Sequence, residues 1–220
     1  MKFSQFGTRF TSEAGILSLM DDLGKAMADS DDLAMMGGGN PGLIPELQQV
    51  FRKSLEEIAA DDTKLRELIG IYDPPQGNLK FIQNLAGLMR KEYGWDVGPQ
   101  NICLTNGSQN AFFALFNLFG GRYGEGQKKI RLPLAPEYIG YADLGVERDF
   151  FLATKPKIEL LDDNMFKYRV DFDRLEVGPE TGAICVSRPT NPTGNVITDH
   201  EIEKLLEIAQ KNDIPLIIDN

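Results

Sequence analysis

The sequence predicts an α/β fold, a mostly parallel sheet with helices on both faces. Two observations carry this expectation. Stretches with helical apolar periodicity are followed by short runs rich in Ile, Val, Leu and Phe, and several of those runs are apolar throughout, as strands buried on both faces read. Helical stretches also connect some of the runs, the order expected of strands joined by crossovers.

In chain order, Leu47, Val50, Phe51, Leu55, Ile58 and Ala59 recur at helical spacing over 45–60, and Ile82, Leu85, Ala86 and Met89 do so over 79–93. Strands are expected at 101–105, 130–134, 149–153, 183–187 and 215–219. Helices are expected at 108–119 and 200–212, the second opened by the capping box Thr198-x-x-Glu201. Asp61-Asp62 and Gly120-Gly121 mark loops. Regular alternation begins only after residues 37–41. We therefore expect an N-terminal arm or small-domain segment over 1–36 and the first part of a larger domain over 37–220.

Composition narrows the function. The 220 residues include 23 Lys plus Arg and 33 Asp plus Glu, a net charge of −10, with 42% hydrophobic and 25% charged residues. That is an ordinary globular composition. The negative charge repels phosphate backbones and anionic lipid, which argues against nucleic-acid and membrane partners. No stretch approaches the ~20 apolar residues of a membrane-spanning helix, and residues 1–6 lack an apolar signal region, so a cytoplasmic address is expected. Cys103 and Cys185 each lie inside an apolar run and read as buried, reduced thiols. His200 is the single histidine. A metal site, or catalysis by a Ser-His or Cys-His pair, therefore has almost no raw material.

Four segments could carry chemistry. Asn106-Gly107-Ser108-Gln109 joins an expected strand to a helix N-terminus, where unpaired N–H groups and the helix dipole favour a phosphate; an Asn-Gly turn with a Ser cap explains the same residues equally well. Gly37-Gly38-Gly39-Asn40-Pro41-Gly42 fits G-x-G-x-x-G, but lacks a good preceding strand and the later acidic residue, and reads instead as a loop bringing backbone close to a ligand. Arg188-Pro189-Thr190-Asn191-Pro192-Thr193-Gly194 follows a strand at its C-terminal edge, where open α/β sheets bind ligands, although a Pro/Gly loop needs no such role. Asp219 ends an apolar strand, where a carboxylate is costly unless a cation meets it; an ordinary turn aspartate at a strand end explains it equally well.

In order, Gly39-x-Pro41, Tyr72-x-x-x-x-Gly77-x-Leu79, Asn106-Gly107-Ser108-Gln109, Pro136-x-Tyr138, Asn191-Pro192-Thr193-Gly194 and Asp219 resemble the fold-type I, pyridoxal-phosphate-dependent class I/II aminotransferases. The resemblance covers essentially the whole chain. It is narrowest to a bacterial branch that moves an amino group between L-valine and pyruvate, giving 3-methyl-2-oxobutanoate and L-alanine by a ping-pong mechanism. It implies the cofactor pyridoxal 5'-phosphate, with Gly107, Ser108 and Gln109 on its phosphate and Tyr138 stacked on its ring. Asn191 would donate to the ring oxygen O3′ and help hold the substrate carboxylate, and Asp219 would pair with the protonated ring nitrogen. Tyr72 would reach the phosphate held by the partner subunit of a homodimer, and the Gly39 backbone would approach the substrate. A cis Asn191-Pro192 bond is implied too.

Residue 220 follows a strand with no covering helix, and the family's cofactor-binding lysine and carboxylate-binding arginine have no counterparts before it. We therefore expect the chain to be the first half of such an enzyme, inactive by itself. The alternatives are a related aminotransferase with another amino donor, or a cofactor-binding regulator domain without catalysis.

Overall fold

The computed structural model describes residues 2–12, 15–29 and 42–220. By its internal contacts the chain divides into two units, Met1–Asp22 with Asn106–Asn220, and Leu23–Thr105. The chain opens with α1 (Gln5–Phe10), whose first turn is capped by the Ser4 hydroxyl accepting from the Gly7 N–H, and α2 (Gly15–Asp29).

The unit Leu23–Thr105 is helical. α3 (Pro45–Ala59) starts on a proline at its first position, α4 (Asp62–Gly70) is capped by Asp61, and α5 (Leu79–Tyr93) runs from the Asn78 cap to Gly94 in the left-handed conformation. α5 buries Ile82 and Ala86, as its periodicity requires, whereas the stripe on α3 is uncovered: Val50, Phe51 and Leu55 are all more than half exposed.

The expected strand at 101–105 does not form. Pro99–Asn101 is a single 3₁₀ turn, and the Leu104 N–H donates to the carbonyl of Gln76 instead of to a sheet. The Gln76 side-chain amide reaches the carbonyls of Pro99 and Ile102 at 2.8 and 2.6 Å. The segment thus satisfies its backbone against the turn at Gly77, whose φ is +110°. A Cβ there would lie 2.6 Å from the Leu104 side chain. Cys103, expected to be buried in that strand, is exposed.

The other unit holds the sheet. α6 (Ser108–Phe119) is followed by β1 (Gly121–Tyr123), β2 (Gly126–Leu132), β3 (Phe151–Ala153), β4 (Lys157–Leu160), β5 (Phe166–Arg169), β6 (Thr181–Ser187), α7 (Asp199–Lys211) and β7 (Leu216–Asp219). β2 pairs in parallel with β3 and with β6, and β6 in parallel with β7; only β1 joins antiparallel. β2 starts four residues before the expected 130, because Gly126 to Lys128 pair with β1 in a hairpin and Lys129 already pairs with Thr181 of β6. The β4–β5 hairpin was not legible as apolar runs; Asp163 and Asn164, with φ of 58° and 59°, make its turn.

Helices do cover both faces. From β6, Ala183 and Cys185 pack with Phe112, Phe116 and Ile130 beside α6, while Ile184 and Val186 pack with Leu205 and Ala209 of α7. All seven residues of β6 are buried, the reason its sequence lacks alternation. The α7 capping box forms as expected, Thr198 and Glu201 each bonding the other's backbone N–H.

Candidate functional site

The parallel register aligns the strand ends. Ser187 lies opposite Asp219, so the C-terminal edges of β6 and β7 meet at one point. The loop after β6, the segment after β2 and the N-terminus of α6 converge there. They enclose a small cavity of about 200 Å³ lined by Ser108, Tyr138, Ser187, Pro189, Asn191, Asp219 and Asn220.

Four of the expected site residues, Ser108, Tyr138, Asn191 and Asp219, share that cavity. Gly107 and Gln109 flank Ser108. Gly107 is the N-cap residue of α6, with φ +90° and no side-chain cap bond, so the helix opens without the Ser cap that the local sequence alone allowed. Gln109 spends its side-chain amide on the Gly140 carbonyl at 3.2 Å, which ties α6 to the 3₁₀ turn Ile139–Tyr141. Tyr72 belongs to the helical unit and is fully exposed. Gly39 lies outside the described residues.

The loop after β6 is closed on itself. The Thr190 N–H donates to the Asn195 carbonyl at 2.9 Å and the Gly194 N–H to the Thr190 carbonyl at 2.7 Å. The Thr190 hydroxyl donates to the Ser187 carbonyl at 3.1 Å. The Arg188 N–H donates to the Asp219 carbonyl, continuing the ladder between the two strands. Asn191 is exposed at the rim, and its bond to Pro192 is cis, as the resemblance implied; Ala135-Pro136 and Arg188-Pro189 are cis as well.

Three polar residues of the site were not singled out from the sequence. The Tyr141 hydroxyl donates to Asp219 Oδ2 at 2.5 Å. Tyr141 is 2% exposed, and its burial, then the bond to Asp219, pushes the phenol above the usual tyrosine range. The Glu137 carboxylate accepts from the Ser187 N–H at 3.2 Å and from the Ser187 hydroxyl. Burial raises the pKa of Glu137, partly offset by those bonds. The Cys185 thiol behind them is also pushed up, chiefly by burial and then by the charges of Glu137 and Asp219, so it stays protonated. The available signal was Pro136-Glu137-Tyr138-Ile139-Gly140-Tyr141, two polar aromatics three residues apart beside an acid, a spacing that folds onto one side of a tight turn.

Chemically, the cavity offers a helix N-terminus with a hydroxyl, an aromatic ring, a side-chain amide and a carboxylate. A helix N-terminus and hydroxyl suit a phosphate, an aromatic ring suits a flat ring, and a half-buried carboxylate suits a cationic N–H. That donor set fits a phosphorylated, nitrogen-containing aromatic molecule.

Comparison with known proteins points the same way. Residues 148–220 match the family model for aminotransferase class I and II. The chain is 53% identical to valine–pyruvate aminotransferase of Escherichia coli (strain K12), over 100% of this chain and 52% of that protein. It is 30% identical to aspartate/prephenate aminotransferase of Thermus thermophilus over 86% of this chain and 45% of that protein. A putative amino-acid aminotransferase structure from Psychrobacter arcticum 273-4 superposes with a TM-score of 0.89 at 49% identity, covering 100% of this chain and 55% of that one. The valine-pyruvate aminotransferase structure from Salmonella typhimurium LT2 superposes with a TM-score of 0.79 at 52% identity, over 94% and 49% of the two chains. The chain thus spans about half the length of the curated relatives it matches.

Proposed function

We propose, from the chain's similarity to class I and II aminotransferases over 148–220 and, along its whole length, to about half of a valine–pyruvate aminotransferase, that the complete protein carries an amino group between L-valine and pyruvate with pyridoxal 5'-phosphate as cofactor. The products are 3-methyl-2-oxobutanoate and L-alanine, formed in two half-reactions. The observation that supports this best is the meeting of Ser108, Tyr138, Asn191 and Asp219 in one cavity.

When bound, pyridoxal phosphate supplies a protonated ring that accepts the electron pair released as the substrate loses its α-proton. The residues of this chain bind and orient. The first N–H groups of α6 and the Ser108 hydroxyl hold the phosphate, Tyr138 stacks on the ring, and Asn191 donates its amide to the ring oxygen and to the substrate carboxylate. The Asp219 carboxylate would face the ring nitrogen and accept its N–H. Gly107 and Gln109 complete the phosphate cradle through the first turn of the helix. Gly39 approaches the substrate, and Tyr72, exposed in the helical unit, reaches across to the second subunit of a homodimer. Among the described residues lining the cavity there is no lysine, so the covalent attachment that the family uses is ascribed to the complete protein and not to this chain.

The test is valine-dependent formation of alanine from pyruvate by the complete protein, with aspartate and glutamate as competing amino donors. Valine is expected to be the preferred donor. Activity with another donor and none with valine would move the protein to a different aminotransferase, and no activity with any donor despite bound cofactor would favour a binding role.

A further inference from the structure

We propose that Tyr141 is the positioning residue that aims the Asp219 carboxylate at a cationic ring N–H, giving the site its preference for a nitrogen-containing aromatic ring over the same ring with carbon in that place. The inference rests on the assignment of Asp219 above and adds a residue that acts through it. Asp219 ends β7. An aspartate at a strand end can turn about two side-chain bonds, and a swinging carboxylate discriminates poorly between partners. Here Oδ2 is held by the Tyr141 hydroxyl at 2.5 Å, while Oδ1 has no hydrogen-bond partner among the described residues. One oxygen is anchored and the other is left for a ligand.

The anchor is itself immobile. The Tyr141 ring is packed against Phe112, Phe116 and Tyr138 at centroid distances of 5.0, 5.3 and 5.4 Å. Its N–H is bonded to the Tyr138 carbonyl, and the neighbouring Gly140 carbonyl is held by Gln109. Rotating the ring would break three aromatic contacts, so the hydroxyl has one place to be.

The chemistry of the anchor matters as much as its position. A lysine or arginine there would pair with the carboxylate and quench the charge that a ring N–H needs. A phenol donates a hydrogen bond without bringing a positive charge, so it orients Asp219 without competing with a cationic ligand group. Burial keeps that phenol protonated well above its usual range, and the donor therefore does not switch off at working pH.

The experiment compares pyridoxal phosphate with its 1-deaza analogue, in which carbon replaces the ring nitrogen, by equilibrium binding to the complete protein. Wild type is expected to prefer the nitrogen-containing ring. Tyr141→Phe keeps the packing and should lose about tenfold of that preference while binding the analogue almost unchanged, the size expected for one hydrogen bond to a charged group. In an Asp219→Asn background the preference should be gone already, and adding Tyr141→Phe should change nothing further. Phe116→Leu, a packing change alone, should lower the unfolding temperature without altering the preference. If Tyr141→Phe weakens both ligands equally, or leaves the preference intact, the positioning role is overturned while the Asp219 assignment stands. A wild type with no preference would overturn the Asp219 assignment, and the role of Tyr141 with it.

Discussion

Ser187 and Glu137 are joined twice, the Ser187 backbone N–H and its hydroxyl each donating to one oxygen of the Glu137 carboxylate. This double link ties the end of β6 to the segment that carries Tyr138, so the two walls of the cavity are set relative to each other by a half-buried acid. The arrangement has a pH signature. Burial raises the folded-state pKa of Glu137 above its ordinary 4.5. Its contribution to stability is therefore complete below about pH 4.5 and is lost as pH rises through the raised value. Urea midpoints between pH 4 and 8 should show Glu137→Gln gaining on wild type as pH increases; a constant offset would contradict the burial argument.

Glu201 should behave in the opposite sense. Its burial alone would raise its pKa, but bonds from the Thr198 hydroxyl, the Thr198 N–H and the Val170 N–H, with Arg169 nearby, leave it lowered from 4.5. A lowered carboxylate stabilises above its unfolded value and loses that contribution as pH falls through the folded one. Thr198→Ala should cost about 1 kcal/mol at neutral pH through loss of the helix cap, and the cost should shrink below about pH 4.5, measured by urea unfolding.

Gly182 is a contact made possible by the absence of a side chain. A Cβ at this position of β6 would lie 1.7 Å from the Phe119 carbonyl oxygen. That atom is backbone at the end of α6, which cannot step aside without moving the helix. Gly182→Ala should destabilise by about 3 kcal/mol or more, lowering the thermal midpoint, whereas alanine at Gly126, with its nearest neighbour at 3.7 Å, should have a far smaller effect.

In the complete protein, Asp219→Ala should leave cofactor binding measurable while slowing removal of the valine α-proton about 10²–10³-fold, because the ring nitrogen loses the charge that keeps it protonated. Asp219→Glu, which keeps the charge, should be milder. Single-turnover valine deamination reads the step directly; equal rates for Asp219→Ala and wild type would show that another carboxylate does this work.

The helices α3, α5, α6 and α7 and the strands β6 and β7 were set by sequence within a residue or two, because their signals are local. Period and capping residues fix where a helix begins, and continuous apolar runs mark strands enclosed on both sides. The motifs around Ser108, Asn191 and Asp219 were legible in the same way, as turns and strand ends, while Tyr138 entered only through the family resemblance. What no local signal could decide was the partner of each group. Residues 101–105 have the composition of a strand, yet their backbone bonds the turn at Gly77, since no ladder is offered to them. Tyr141 and Asp219 are 78 residues apart, and Glu137 and Ser187 are 50 apart. Those bonds exist only because the parallel register of β6 and β7 and the packing of α6 on one face bring separate segments to a single edge. Hydrophobic pattern and capping chemistry determined the elements; sheet register and burial, which depend on the whole chain, decided which side chains face one another.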